Sequence, residues 1–145
     1  MLNTIDNHRN LFFYDIGSGT GKVCFVASKY YKFKKVHSIE LYKPAHDVAC
    51  NNLTSFIKRN GKNNISFYDV NCLQLELENK PSVLLFFNPF TEVIFQQFLD
   101  KNLDKLKQNN SYIAFNNCLY PQTLINAGFK LLFHDQVFYS KIRKL

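Results

Sequence analysis

The residues best placed to do chemistry lie in the stretch Asp15-Ile16-Gly17-Ser18-Gly19-Thr20-Gly21. The whole chain holds only 5 glycines, and three of them fall here. Glycine at such positions permits a tight strand-to-helix turn and lets a ligand touch the backbone. A helix starting there presents free N–H groups and a positive dipole end to a polar or anionic ligand. The spacing leaves the ligand open. The third glycine comes one residue too early for Gly-x-Gly-x-x-Gly, and Val23 follows Lys22 where a Walker loop needs Ser or Thr. Three further positions complete the constellation. Glu40, at the end of the next apolar run, can accept hydrogen bonds from both hydroxyls of a ribose, or simply be a surface acid. Asp69 ends the third run, where it can reach an adenine amino group or cap the following segment. Asn88-Pro89-Phe90 follows the fourth run: an acceptor side chain, a fixed backbone and an aromatic ring that can stack on a ligand, or an ordinary turn.

The elements that must position these groups can be read from the apolar pattern. Strands are predicted at Leu11–Asp15, Val36–Leu41, Ile65–Asp69, Val83–Phe87 and Ser111–Phe115. Helical spacing covers Lys22–Tyr31, the stretch from Pro44 to near Gly61, Thr91–Lys107 and Pro121–Asn126. Two β runs at the end, Phe129–His134 and Val137–Ile142, are close enough to be antiparallel partners. The alternation implies an α/β fold with a mainly parallel sheet of seven strands, an antiparallel C-terminal hairpin and helices on both faces. Residues 71–81 read as a short helix or a loop. All three acids then fall at strand C-termini, the edge where open α/β sheets bind ligands.

Composition sets the outer bounds. The 145 residues suit one domain, expected to span 1–145, with residues 1–10 as a loosely ordered tail. The hydrophobic fraction of 46% is enough for a sizeable core. No apolar run approaches the ~20 residues that span a bilayer, and the first residues lack the apolar segment of a secretory signal. A cytoplasmic protein with no membrane partner is expected. The net charge of +7 reflects mostly Lys, since Arg occurs only at 9, 59 and 143. A nucleic acid or an acidic protein surface would suit that charge, although the richness in Asn, Lys, Ile, Phe and Tyr favours background composition from an AT-rich coding bias. The densest cluster is Lys29, Lys32, Lys34 and Lys35. Cys24, Cys50, Cys72 and Cys118 form no CxxC pair, and the histidines at 8, 37, 46 and 134 are scattered, so no metal site is expected and the thiols read as reduced. His37 and His134 read as structural rather than as bases.

Taken in order, Asp-x-Gly-x-Gly-x-Gly, an acid ending strand two, an acid ending strand three and Asn-Pro-Phe after strand four resemble the class I (Rossmann-like) S-adenosylmethionine-dependent methyltransferases. The glycine stretch, with Ser38-Ile39-Glu40-Leu41 after it, is similar to the histone lysine methyltransferases that lack a SET domain. Phe87-Asn88-Pro89-Phe90 is similar to small bacterial methyltransferases of unassigned substrate. The resemblance implies a three-layer sandwich and S-adenosyl-L-methionine as cofactor. It places Asp15, Gly17, Ser18, Gly19 and Gly21 around the methionine moiety. It sets Glu40 on the ribose with Leu41 beside the adenine, and Asp69 and Val70 at the adenine edge. It turns Asn88, Pro89 and Phe90 toward the transferable methyl as the catalytic step. The acceptor, whether protein, nucleic acid or small molecule, is not implied. Two departures stand out. The chain has one proline where amino-methylating DNA enzymes have two, and few residues precede strand one, where relatives carry helices. A non-catalytic cofactor-binding subunit with this fold, and more remotely a nicotinamide-dependent oxidoreductase, are the alternatives.

Overall fold

The computed structural model describes residues 2–61, 64–87, 89–135 and 140–144, with residues 133–135 and 140–144 described in their backbone only. Seven strands form one sheet in the order β3-β2-β1-β4-β5-β7-β6. β1 (Phe12–Ile16), β2 (Lys35–Glu40), β3 (Ile65–Asp69), β4 (Ser82–Phe87) and β5 (Tyr112–Asn116) are parallel. The parallel strands therefore number five. β7 (Ser140–Lys144) runs antiparallel to both β5 and β6 (Lys130–Asp135). The expected hairpin turn falls on residues 136–139, which lie outside the described residues.

β1 and β4 are central, and their continuous apolar runs FFYDI and SVLLFF are buried on both faces apart from Phe87. That is the pattern of a parallel strand covered by helices on each side. Phe12, Tyr14 and Ile16 of β1 face one core, with Phe95, Phe98, Leu99 and Leu106 of α3 (Glu92–Gln108) and Leu124 of α4 (Pro121–Asn126). Phe13 faces the other, with Cys24 of α1 (Lys22–Val26), Ala27 and Phe33, and with Leu53 and Phe56 of α2 (Lys43–Asn60) at its margin. The chain moves outward from β1 to β3 on one side, then returns to place β4 against the other side of β1. The crevice at that reversal, outside the carboxyl ends of the strands, is where this architecture holds ligands.

Two segments depart from the sequence expectation, and a third, left open between helix and loop, is decided. The helix begun at Lys22 keeps α geometry only to Val26, and Ala27–Tyr31 continues with the wider π pattern. Tyr31 there packs toward His8 and Phe33, at ring-centroid distances of 5.3 and 6.3 Å. Residues 2–10 form two 3-10 turns, Leu2–Thr4 and His8–Asn10, rather than a loose tail. Burying Leu2 and Ile5 in the core beside α1 holds the first turn. Residues 71–81 form a loop, anchored where the Glu78 N–H donates to the Tyr14 hydroxyl at 3.1 Å.

His37 sits inside the sheet, stacked on Tyr14 at 4.3 Å and bonded through Nδ1 to the Tyr68 hydroxyl at 3.1 Å. Burial, helped by the Lys35 charge and opposed by Glu78, lowers its pKa to about 4. The folded chain thus holds a neutral ring that the unfolded chain would protonate below its usual value of 6.5. Its contribution to stability is complete above that value and is lost as pH falls toward 4. Urea denaturation across this range should give a stability–pH slope for His37→Phe that is shallower by about one proton. An unchanged slope would show that the ring takes up a proton without unfolding.

Candidate functional site

The glycine loop leaves β1 with Gly17, Gly19 and Gly21 all at positive φ, +79°, +54° and +76°. Two of them have no room for a side chain. A Cβ on Gly17 would lie 2.6 Å from the Pro89 Cβ, and one on Gly21 would lie 2.9 Å from the Phe67 ring. Gly19 differs: no atom lies within 4 Å of the place where its Cβ would stand. Its outer side stays open.

The loop closes on itself once, where the Gly21 N–H donates to the Ser18 carbonyl at 3.0 Å, and is otherwise tied to β2. The Gly17 and Ser18 N–H groups both donate to the Ile39 carbonyl, at 2.9 and 3.0 Å. The Ser18 and Ser38 hydroxyls share a bond of 2.7 Å. The Gly19 N–H donates to Glu40 Oε2 at 2.7 Å, and the Tyr42 N–H donates to Glu40 Oε1 at the same distance. A half-buried carboxylate at the end of β2 is therefore fixed against the loop by two backbone amides.

Asp15 lies just beneath, only 4% exposed. The Cys24 thiol donates to its Oδ2 at 3.4 Å. Burial, with a smaller push from the Glu40 charge, raises the carboxyl pKa to about 7 despite that bond. Burial also pushes the Cys24 thiol well above its usual value, which leaves it protonated and a donor. Asp15 is thus an acid poised to change charge near neutrality.

Two cavities meet at Gly17. The smaller, about 220 Å³, is lined by Ile39, Glu40 and Leu41 from the end of β2, by Val70, Asn71 and Cys72, and by Pro89, Phe90 and Ile94. Phe90 is half-buried and meets Phe86 edge-on at 5.8 Å. The larger, about 590 Å³, opens on the other side of the loop, between Asp15, Gly19 and Thr20 and a wall that includes Leu2, Tyr31, Phe87 and Asn116.

Most of the residues singled out in the sequence are thereby brought together: Asp15, Gly17, Ser18, Gly19, Glu40, Leu41, Val70, Pro89 and Phe90 all line one of these cavities. Gly21 lies behind the loop, packed on Phe67 and Ala49. Asp69 pairs in register with Glu40 but is exposed and lines neither cavity. Asn88 lies outside the described residues. Sequence reasoning missed Asn71 and Cys72, which belong to a segment with no periodicity, and Leu2 and Tyr31, which reach the cavity from elements read as tail and surface helix.

The chain matches the family described as Histone methylation protein DOT1 over residues 1–135. No curated protein matches. Among solved structures, a precorrin-6y C5,15-methyltransferase from Geobacter metallireducens GS-15 is similar, with a TM-score of 0.68 at 15% identity over 99% of this chain and 84% of that one. A magnesium protoporphyrin IX methyltransferase from Synechocystis PCC 6803, with bound SAM, has a TM-score of 0.67 at 12% identity over 95% and 70% of the two chains. A ribosomal protein L11 methylase from Lactobacillus delbrueckii subsp. bulgaricus has a TM-score of 0.61 at 16% identity over 92% and 68%. At these identities the likeness establishes the fold, the Rossmann-like fold of methyltransferases. With a match that runs from the first residue through β6, the chain belongs to the Histone methylation protein DOT1 family.

Proposed function

We propose that the chain is an S-adenosylmethionine-dependent methyltransferase that binds its cofactor across the carboxyl ends of β1, β2 and β4. One observation carries this assignment. Two cavities join at a glycine that tolerates no side chain, and a carboxylate fixed by backbone amides stands at the junction. The adenosine end fits the smaller, more enclosed cavity, and the methionine end fits the open side of the glycine loop.

The role of each residue follows from what it has left to offer. A carboxylate has roughly four acceptor sites. The Gly19 and Tyr42 amides occupy one on each Glu40 oxygen, which leaves acceptors for the two hydroxyls of a ribose. Leu41 and Val70 supply apolar walls for a purine, and Asp69, outside the cavity lining but in register with Glu40, is assigned to its amino group. Asp15, Gly17, Ser18, Gly19 and Gly21 shape the methionine side. When bound, the cofactor supplies an activated methyl on a sulfonium. Aligning it with the acceptor and excluding water is the chain's task, and proximity can account for several kcal/mol of the barrier, about 7–11 in the best cases. Asn88, Pro89 and Phe90 are assigned to that step. An amine acceptor must arrive neutral, and Asn88 Oδ1 can accept its N–H and orient its lone pair.

Titration calorimetry with S-adenosylmethionine should give a one-to-one complex, and NAD should give none. NAD binding in its place would sink the proposal. Gly19→Val, which fills the open side of the loop, should weaken cofactor binding by about a hundredfold or more, the scale of a lost backbone contact plus left-handed strain. Affinity that survives this change would move the site elsewhere. Transfer of a tritiated methyl group to cell fractions, treated separately with protease and with nuclease, sorts the acceptor. Asn88→Ala should lower transfer while leaving cofactor affinity within about twofold. A parallel loss of affinity would reassign Asn88 to binding.

Asp15 adds a pH signature. An α-amino cation set against it favours the ionised carboxylate, so binding must remove the proton that burial retains. Between about pH 5.5 and 7.5, cofactor affinity should therefore rise with pH and level off above a pKa of about 7. The rise should vanish in Asp15→Asn. A wild-type profile that is already flat would place the amino group away from Asp15.

A further inference from the structure

A third cavity, about 580 Å³, lies outside this site, as a groove between α2 and the segment formed by α1 and the π turn. Its floor is aromatic: Phe25 and Phe56 are half-buried and stacked at 5.0 Å. Tyr30 stands on its edge, 69% exposed, with the Lys29 ammonium 5.4 Å from the ring centroid. Lys22 and Arg59 complete the cationic lining.

Two features separate this groove from an ordinary basic surface. No Asp or Glu occurs from residue 16 to 39 or from 48 to 68, the two stretches that supply both walls. Elsewhere, Lys35, Lys43, Lys101 and Lys105 are each paired to a carboxylate. Among the described residues, Lys22, Lys29 and Arg59 have no such partner. The groove thus gathers three cations free of any carboxylate partner among the described residues, and it sets them beside the exposed face of Tyr30. The groove also shares Thr20 and Val26 with the larger cavity at the glycine loop, so a bound chain would run past the site described above.

We propose that this groove binds single-stranded nucleic acid. Unpaired cations meet the phosphates, and Tyr30 offers a face on which an unstacked base can lie. Charge alone would suit any polyanion. The aromatic component selects a strand whose bases are free, because a duplex keeps its π-faces stacked internally. Arg59 adds a planar guanidinium that can pair with phosphate through two donors. The proposal does not depend on the methyltransferase assignment and is tested without cofactor.

The probe is a fluorescein-labelled oligothymidylate of about a dozen nucleotides, followed by anisotropy. Binding should be tighter than for the matching duplex. It should weaken with salt with a log–log slope of about −2, as expected for three neutralised phosphates on a single strand. Tyr30→Ala should cost about five- to a hundredfold in affinity through lost stacking. Lys29→Ala combined with Arg59→Ala should flatten the salt slope by more than half. Circular dichroism keeps the variants interpretable, since all three side chains lie at the surface. Equal affinity for duplex with no effect of Tyr30→Ala would overturn the proposal in favour of diffuse charge. Equally effective displacement by polyglutamate would overturn it in favour of an acidic protein, and equally effective displacement by free ATP would reduce it to a nucleotide pocket. Absence of binding at low salt would end it.

Discussion

At the reversal point of the sheet, the turn after β1 and the turn after β4 approach so closely that Gly17 cannot carry a side chain. That contact governs much of the rest. It requires a residue that tolerates φ near +79°, and it sets the loop where two amides reach the Ile39 carbonyl and a third reaches Glu40. Pro89 is the other half of the contact. Its ring fixes the backbone that leaves β4 and closes one side of the smaller cavity. A bulkier residue at 17 would push apart the two central strands at their ends and open the crevice that they define.

The electrostatics of the site depend on the same packing. The loop covers Asp15, and burial raises its pKa to about 7. The carboxyl nearer the solvent, Glu40, instead receives two backbone donors. Two acids a short distance apart are thus set in different states by their surroundings, one close to changing charge and one held as an acceptor. Cys24 belongs with the first: its thiol lies in the same dry environment, donates to Asp15 and stays protonated.

Much of this was legible in the sequence, and the parts that were not share a cause. Strand positions could be read because buried parallel strands are written as continuous apolar runs, as in SVLLFF. The glycine loop could be read because glycine is scarce elsewhere in the chain. Periodicity identifies an element, however, and does not report which side chains meet across the end of a sheet. Asn71 and Cys72 line the smaller cavity from a loop without period. Leu75 and Leu77, in the same loop, are buried although spaced like a strand. Asp69 had the right position in sequence, yet it ends the edge strand of the sheet and is exposed beside Glu40. The wider turn from Ala27 to Tyr31 had no signal at all, because its residues are compatible with an ordinary helix.

The N-terminal segment has a consequence of its own. Leu2 forms part of the wall of the larger cavity, and it belongs to a single 3-10 turn held by the Ile5 N–H and the His8 ring at its carbonyl. Such a turn sits at the low end of local opening free energies, well below the sheet it rests on. The cavity therefore has one wall that can part without disturbing the strands. Amide-hydrogen exchange at Ile5 and the rate at which small molecules enter the cavity then report a single local equilibrium, while the floor of the site follows global unfolding.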